Sequence, residues 1–130
     1  MADETPGPGA SFGRIAATIP VSDLPRAIRF FEEALAMSLT FTNGDPVGFA
    51  ILRRDAAELH LTLVRGHRGA SHNVAHLMVA DAVALYDHCV AREVRIIKGL
   101  RDADYGLRGF VFADPDGNRI DVGQRLTEES

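Results

Sequence analysis

Four residues of this chain carry ligating or acid–base side chains within runs that otherwise alternate as apolar strands: Glu58, His60, His76 and Asp121. Successive side chains of a strand face opposite ways. In "AELHLTLV", Leu59, Leu61 and Leu63 share one face while Glu58, His60 and Thr62 share the other. In "NVAHLMV", Ala75, Leu77 and Val79 oppose Val74, His76 and Met78. In "RIDVG", Ile120 and Val122 oppose Arg119, Asp121 and Gly123. An imidazole or a carboxylate on such a face can hydrogen-bond a ligand, and imidazole can also act as a general base near neutral pH. On a flat sheet the mixed faces are simply wet. On a curved one the concave side gathers the four groups into a cleft, and periodicity leaves the curvature open.

The elements that would position these groups recur as a weak internal repeat. "VSDLPRAIRFFEEALAMSLTF" begins at Val21 and "VADAVALYDHCVAREVRII" at Val79. Each reads as the end of a strand, then a helix of about three turns, then another strand. Asp23 and Asp81 are placed as N-caps, and Pro25 falls in the first helical turn, where its missing N–H costs little. Leu24, Ile28, Phe31 and Leu35 form the apolar stripe of the first helix, and Ala82, Leu85, Tyr86 and Cys89 that of the second. Strands are expected at 14–20, 38–43, 47–54, 57–64, 73–79 and 94–97, with Ile15, Ala17 and Ile19 on the apolar face of the first. Residues 98–108 read as a loop in which the second copy has lost a strand or shifted its register. The hairpin "FVFADPDGNRIDVGQ" closes the chain, its turn supplied by Pro115 and Gly117. No helix links each strand to the next, so the expected class is α+β, one domain over 12–126 with modules at about 14–64 and 73–124.

With 130 residues, 46% hydrophobic and 25% charged, the chain has the balance of a globular domain. The formal net charge of −4 argues against nucleic acid as the partner and permits a cationic ligand. The single cysteine, Cys89, reads as a buried inert thiol and fits a cytoplasmic location. No apolar run approaches the roughly 20 residues of a membrane span. Residues 1–11 are Pro- and Gly-rich, lack the pattern of a signal peptide, and are expected to be disordered, with 127–130 as a tail. His67, His72 and His88 read as solvated.

The stretch "YGLRGFVFADPDGNRIDVGQ" resembles the C-terminal signature of the vicinal oxygen chelate superfamily, nearest its glyoxalase/bleomycin resistance protein group. "IPVSDLPRAIRFFEEALAMSLTF", "ELHLTLV" and "VADAVALYDH" resemble earlier parts of the same pattern, so the likeness runs from about residue 12 to 125. It implies two βαβββ modules of curled sheet, helices on the convex side, and a concave cleft usually completed by a homodimer. In metal-using members the ligand positions fall near Ala16 and Val74, which have no donor, and at Glu58 or His60 and at Asp121. With His76 as a substitute, the set becomes His60, His76 and Asp121, for a divalent ion such as Zn, Ni, Mn or Fe. In the metal-free, drug-sequestering branch an aromatic stacks on the ligand, and here the matching residue is Tyr105, followed by Arg108, which would pair with a ligand or with Asp121. That branch generally uses tryptophans in its cleft, and this chain has none. The expectation from the resemblance is a metal-free binding protein without cofactor, holding a planar or cationic small molecule through Phe49, His60, His76, Tyr105, Arg108 and Asp121. The alternatives are an enzyme, either metal-dependent and acting on vicinal oxygens or using His60 or His76 as a general base, and a regulatory module that has lost its site.

Overall fold

A computed structural model describes residues 11–103 and 106–126. The first module runs β1 (Ala17–Val21), α1 (Leu24–Ala34), β2 (Ser38–Gly44), β3 (Val47–Arg54) and β4 (Ala57–Leu63). The second runs β5 (Asn73–Met78), α2 (Ala82–Ala91), β6 (Arg95–Asp102), β7 (Leu107–Ala113) and β8 (Arg119–Arg125). The two sheets have the orders β1-β4-β3-β2 and β5-β8-β7-β6. In each, the first strand pairs parallel with the last and the other pairs are antiparallel. The repeat is therefore complete, and the class is α+β as the pattern required.

Both helices begin as their sequences dictate. Asp23 accepts from the backbone N–H of Arg26 at 3.0 Å, and Asp81 from that of Ala84 at 3.0 Å. Leu24, Ala27, Phe31 and Ala34 are the buried residues of α1. In α2 only Ala82 and Cys89 are fully buried, so the second helix lies more shallowly on its sheet.

Two expectations about the strands are corrected. Within 98–108, residues up to Asp102 belong to β6 and those from Leu107 to β7, and the Ala103 N–H donates to the Leu107 carbonyl at 2.7 Å. No strand is lost. The β6–β7 register shifts twice, between Ile96 and Lys98 and again between Lys98 and Arg101, and each slip breaks the alternation by which a strand is recognised. At the other end, β1 starts at Ala17, where its ladder with Leu59 begins, and Ile15 is 98% exposed instead of joining the apolar face.

The modules share one core on the helix-bearing sides of their sheets. Phe31, Leu52 and Leu61 of the first module and Phe110, Phe112 and Val122 of the second belong to a single buried cluster. Phe30 of α1 lies 6.1 Å, centroid to centroid, from Phe112 of β7, and His88 of α2 bonds the Glu33 carbonyl at 2.8 Å. Each large side chain buried in this way contributes about 1.5–3 kcal/mol.

The β7–β8 turn ties the modules together through polar groups. The Asp114 carboxylate accepts from the N–H groups of Asp116 and Asn118, at 2.9 and 2.8 Å, and from Asn118 Nδ2 at 2.8 Å. Asn118 Nδ2 also donates to the Pro20 carbonyl at the end of β1, and Asp116 bonds Ser22 and Arg26 at the start of α1. Burial raises the Asp114 pKa, although these donors pull it the other way. His67, expected to be solvated, is half-buried and bonds Asn118 Oδ1 at 2.9 Å.

Candidate functional site

The face of each sheet turned away from the shared core carries the polar groups singled out in the sequence. On the first sheet, β4 pairs His60 with Thr18 of β1 on one side and with Ile51 of β3 on the other. Strand parity then places Phe49, Ile51 and Arg53 on the same open face as Glu58 and His60. His60 Nε2 lies 2.6 Å from Glu58 Oε2. The other Glu58 oxygen is 3.2 Å from Nη2 of both Arg14 and Arg53. The His60 hydrogen bond holds the Glu58 carboxyl below the usual carboxylate range, assisted by Arg53 and Arg14 and opposed by desolvation. Phe49 meets the His60 ring edge to face at 5.5 Å and Phe41 at 6.3 Å, so an aromatic ladder runs beside the ion cluster.

On the second sheet, His76 and Asp121 are register partners on adjacent strands, and His76 Nδ1 lies 2.8 Å from Asp121 Oδ2. A carboxylate at Nδ1 orients the ring, whose Nε2 lies 3.0 Å from Met78 Sδ. Gly123 makes room for it: a Cβ there would stand 3.2 Å from His76 Cε1. Lys98, Arg101 and Val111 line the same small hollow. Reading 98–108 as a loop hid Lys98 and Arg101. Arg14 and Arg53 gave no functional signal, since a charge near a strand end is ordinary.

The structure brings together Phe49 with His60, and His76 with Asp121, but it does not join the two pairs. Arg108 belongs to neither. It lies on the helix-bearing face with Gln124, its register partner, whose Oε1 accepts from the Ala82 N–H at the start of α2. Its guanidinium holds Asp102 at 2.7 and 3.3 Å, not Asp121, and this pairing lowers the Asp102 pKa and raises that of Arg108. Tyr105 lies outside the described residues.

A family model for the Glyoxalase/Bleomycin resistance protein/Dioxygenase superfamily matches residues 11–122. The chain belongs to that superfamily. Among solved structures, a superfamily member from Sphaerobacter thermophilus is 24% identical with a TM-score of 0.72, over 85% of this chain and 94% of that one. A bleomycin resistance determinant encoded on the transposon Tn5 is 19% identical with a TM-score of 0.76, over 89% and 100%. TioX from Micromonospora sp. ML1 is 15% identical with a TM-score of 0.71, over 88% and 98%. A comparison with curated proteins returns no match. At these identities the likeness establishes the fold.

The metal of the superfamily's enzymes can be tested against the donors present. A divalent ion in such a site needs three or four protein ligands. Among the described residues no three His, Cys, Asp or Glu side chains cluster, and Ala16 and Val74 offer no donor. The set His60, His76 and Asp121 is not assembled within one chain, because its members sit on different sheets. A single copy therefore does not fit the ion. No helix of the described residues is long and apolar enough to cross a membrane.

Proposed function

We propose that the protein binds a planar small molecule, without a metal, in a cleft formed when the open face of one copy meets that of a second. The observation that carries this reading is the Phe41–Phe49–His60 ladder beside Glu58, a stacking surface with hydrogen-bonding groups at its edge. A flat ligand gains from aromatic stacking on such a surface, and the imidazole and carboxylate set its orientation. Charge narrows the ligand further. Arg14 and Arg53 flank the first open face, while Lys98 and Arg101 line the second, so a neutral or acidic planar compound suits the cleft better than a strongly cationic one. Tyr105 is the further stacking group that the family pattern suggests.

The second copy is supported by apolar side chains left exposed in a single chain. Leu39, Phe41 and Val47, along β2 and the start of β3, are each more than 40% exposed, and β2 is the edge of its sheet. An apolar edge strand of this kind is a liability unless paired or covered.

A second reading rests on the presence of one histidine–carboxylate pair on each open face. A dimer that sets the first sheet of one copy against the second sheet of the other gathers up to four donors, which suits a metal-dependent enzyme. The two readings separate in one experiment. Protein purified without chelator is assayed for metal and, after chelation, screened by thermal shift against planar compounds, bleomycin included. Stabilisation of metal-free protein by a planar compound, with affinity falling about tenfold or more in Phe49→Ala, is the expected result. Near-stoichiometric metal that is lost in His76→Ala overturns the binding reading in favour of the enzyme.

A further inference from the structure

A groove of about 520 Å3 lies where the linker at 64–72 runs along the β7–β8 turn, and its lining shares no residue with the hollow beside His76. Its walls carry His67 and Arg68 of the linker, Arg95 from the start of β6 and Arg119 from the start of β8. Three arginines thus line one groove in a chain whose formal net charge is −4. The carboxylate in the lining, Asp116, is turned out of the groove. It takes the Ser22 N–H at 2.7 Å and the Ser22 hydroxyl, holds Arg26 at 2.9 Å, and is only 6% exposed. Among the described residues, Arg68, Arg95 and Arg119 make no ion pair. Arg119 donates one Nη1 bond to the Ser71 carbonyl at 3.3 Å, which fixes the side chain and leaves its other donors available. Like charges gathered without a counter-charge oppose the compact state, so the cluster calls for an anion.

The floor of the groove is rigid. The Gly69 N–H donates to the Asp116 carbonyl at 2.8 Å, and the backbones approach so closely that a Cβ on Gly69 would meet the Gly117 oxygen at 2.1 Å. His67 is pinned by Asn118, itself 1% exposed. A pre-ordered wall lowers the entropy lost on binding.

We propose that this groove binds a small phosphate-bearing anion, held by Arg68, Arg95 and Arg119. The guanidinium fork matches two phosphate oxygens at once, and the one carboxylate in the lining, Asp116, is already engaged by Ser22 and Arg26. The volume lies within the range of about 300–1,000 Å3 typical of small-molecule sites. A nucleic acid strand would need a longer basic track than one groove on an acidic chain. This site shares no residue with the open-face cleft and stands independently of the function proposed for it.

Pyrophosphate is the probe, titrated calorimetrically at constant ionic strength. Saturable binding at one site per chain is expected, weakened about tenfold or more by Arg95→Gln and by Arg119→Gln. Ala70→Glu, which sets a carboxylate on the exposed wall and leaves every arginine in place, should abolish it. Arg125→Gln removes the same charge at the other end of β8, about 20 Å along the strand, and should leave affinity within about twofold. Thermal melting of each variant shows that it is folded. The proposal is overturned by the absence of saturable heat, or by equal weakening in Arg125→Gln, which marks diffuse attraction. Loss of pyrophosphate binding in Phe49→Ala with the arginine variants unaffected overturns it too, as does tighter binding of a mixed-sequence single-stranded oligonucleotide than of pyrophosphate.

Discussion

Glu58 sits between one imidazole and two guanidinium groups, and that setting makes its charge part of the fold's stability. Its folded pKa is lowered, chiefly by the His60 hydrogen bond. The contribution is therefore fully present above the unfolded value of about 4.3 and disappears as pH falls through the lowered folded value. Glu58→Gln should lose stability near neutrality and show a flatter acid limb, measured as unfolding midpoints between about pH 3 and 7. An acid limb identical to the wild type's would mean that the cluster is not formed in solution. Cys89 behaves in the opposite sense for reactivity. Burial pushes its thiol up to about 11, so at pH 8 roughly one molecule in a thousand carries the thiolate. Labelling of native protein by an aromatic disulfide should proceed only at the rate of opening, and should become fast in denaturant. Fast labelling of the native state would contradict the buried position.

At the scale of elements, the β7–β8 turn does more than reverse the chain. Sequence reasoning assigned Asp114 through Asn118 to turn geometry, and Gly117 does adopt the left-handed φ of +87° that the turn requires. The same residues also tie the second module to the end of β1 and the start of α1. Removing the Asp114 carboxylate leaves three N–H donors without their acceptor in a buried place. Asp114→Ala should cost about 2–3 kcal/mol, read as a drop in the denaturant midpoint at unchanged slope. The β6–β7 pair makes the converse point. Its two register slips turn Lys98 and Arg101 toward the hollow beside His76, an outcome that simple alternation does not describe.

For the whole molecule, the decisive feature is that both modules build one core. Residues from both form a single buried cluster, so neither module has a separate interior to keep if the other opens. Unfolding should be a single transition, coincident by calorimetry and by far-ultraviolet circular dichroism. Phe112→Ala, which empties a fully buried site beside Phe30 of the other module, should cost about 3–5 kcal/mol of stability and lower the midpoint of that one transition without splitting it. Two resolved transitions would show that the modules fold separately. Because the core takes the helix-bearing sides, both open faces are left to the outside, where the proposed cleft would be closed by a second copy.

Much was settled locally. The N-caps Asp23 and Asp81, the alternation around His60 and Asp121, and the turn at Asp114–Asn118 depend on neighbours within a few residues, and such signals survive in a single sequence. The βαβββ repeat was legible for the same reason, except where register slips interrupted it. Which faces meet could not be read in this way, because it depends on contacts between residues tens of positions apart. Only the tertiary structure kept the His60 and Asp121 faces from meeting within one chain, turned Arg108 to the helix side, and drew Arg68, Arg95 and Arg119 around one groove. Periodicity assigns a side chain to a face; packing alone decides what that face looks at.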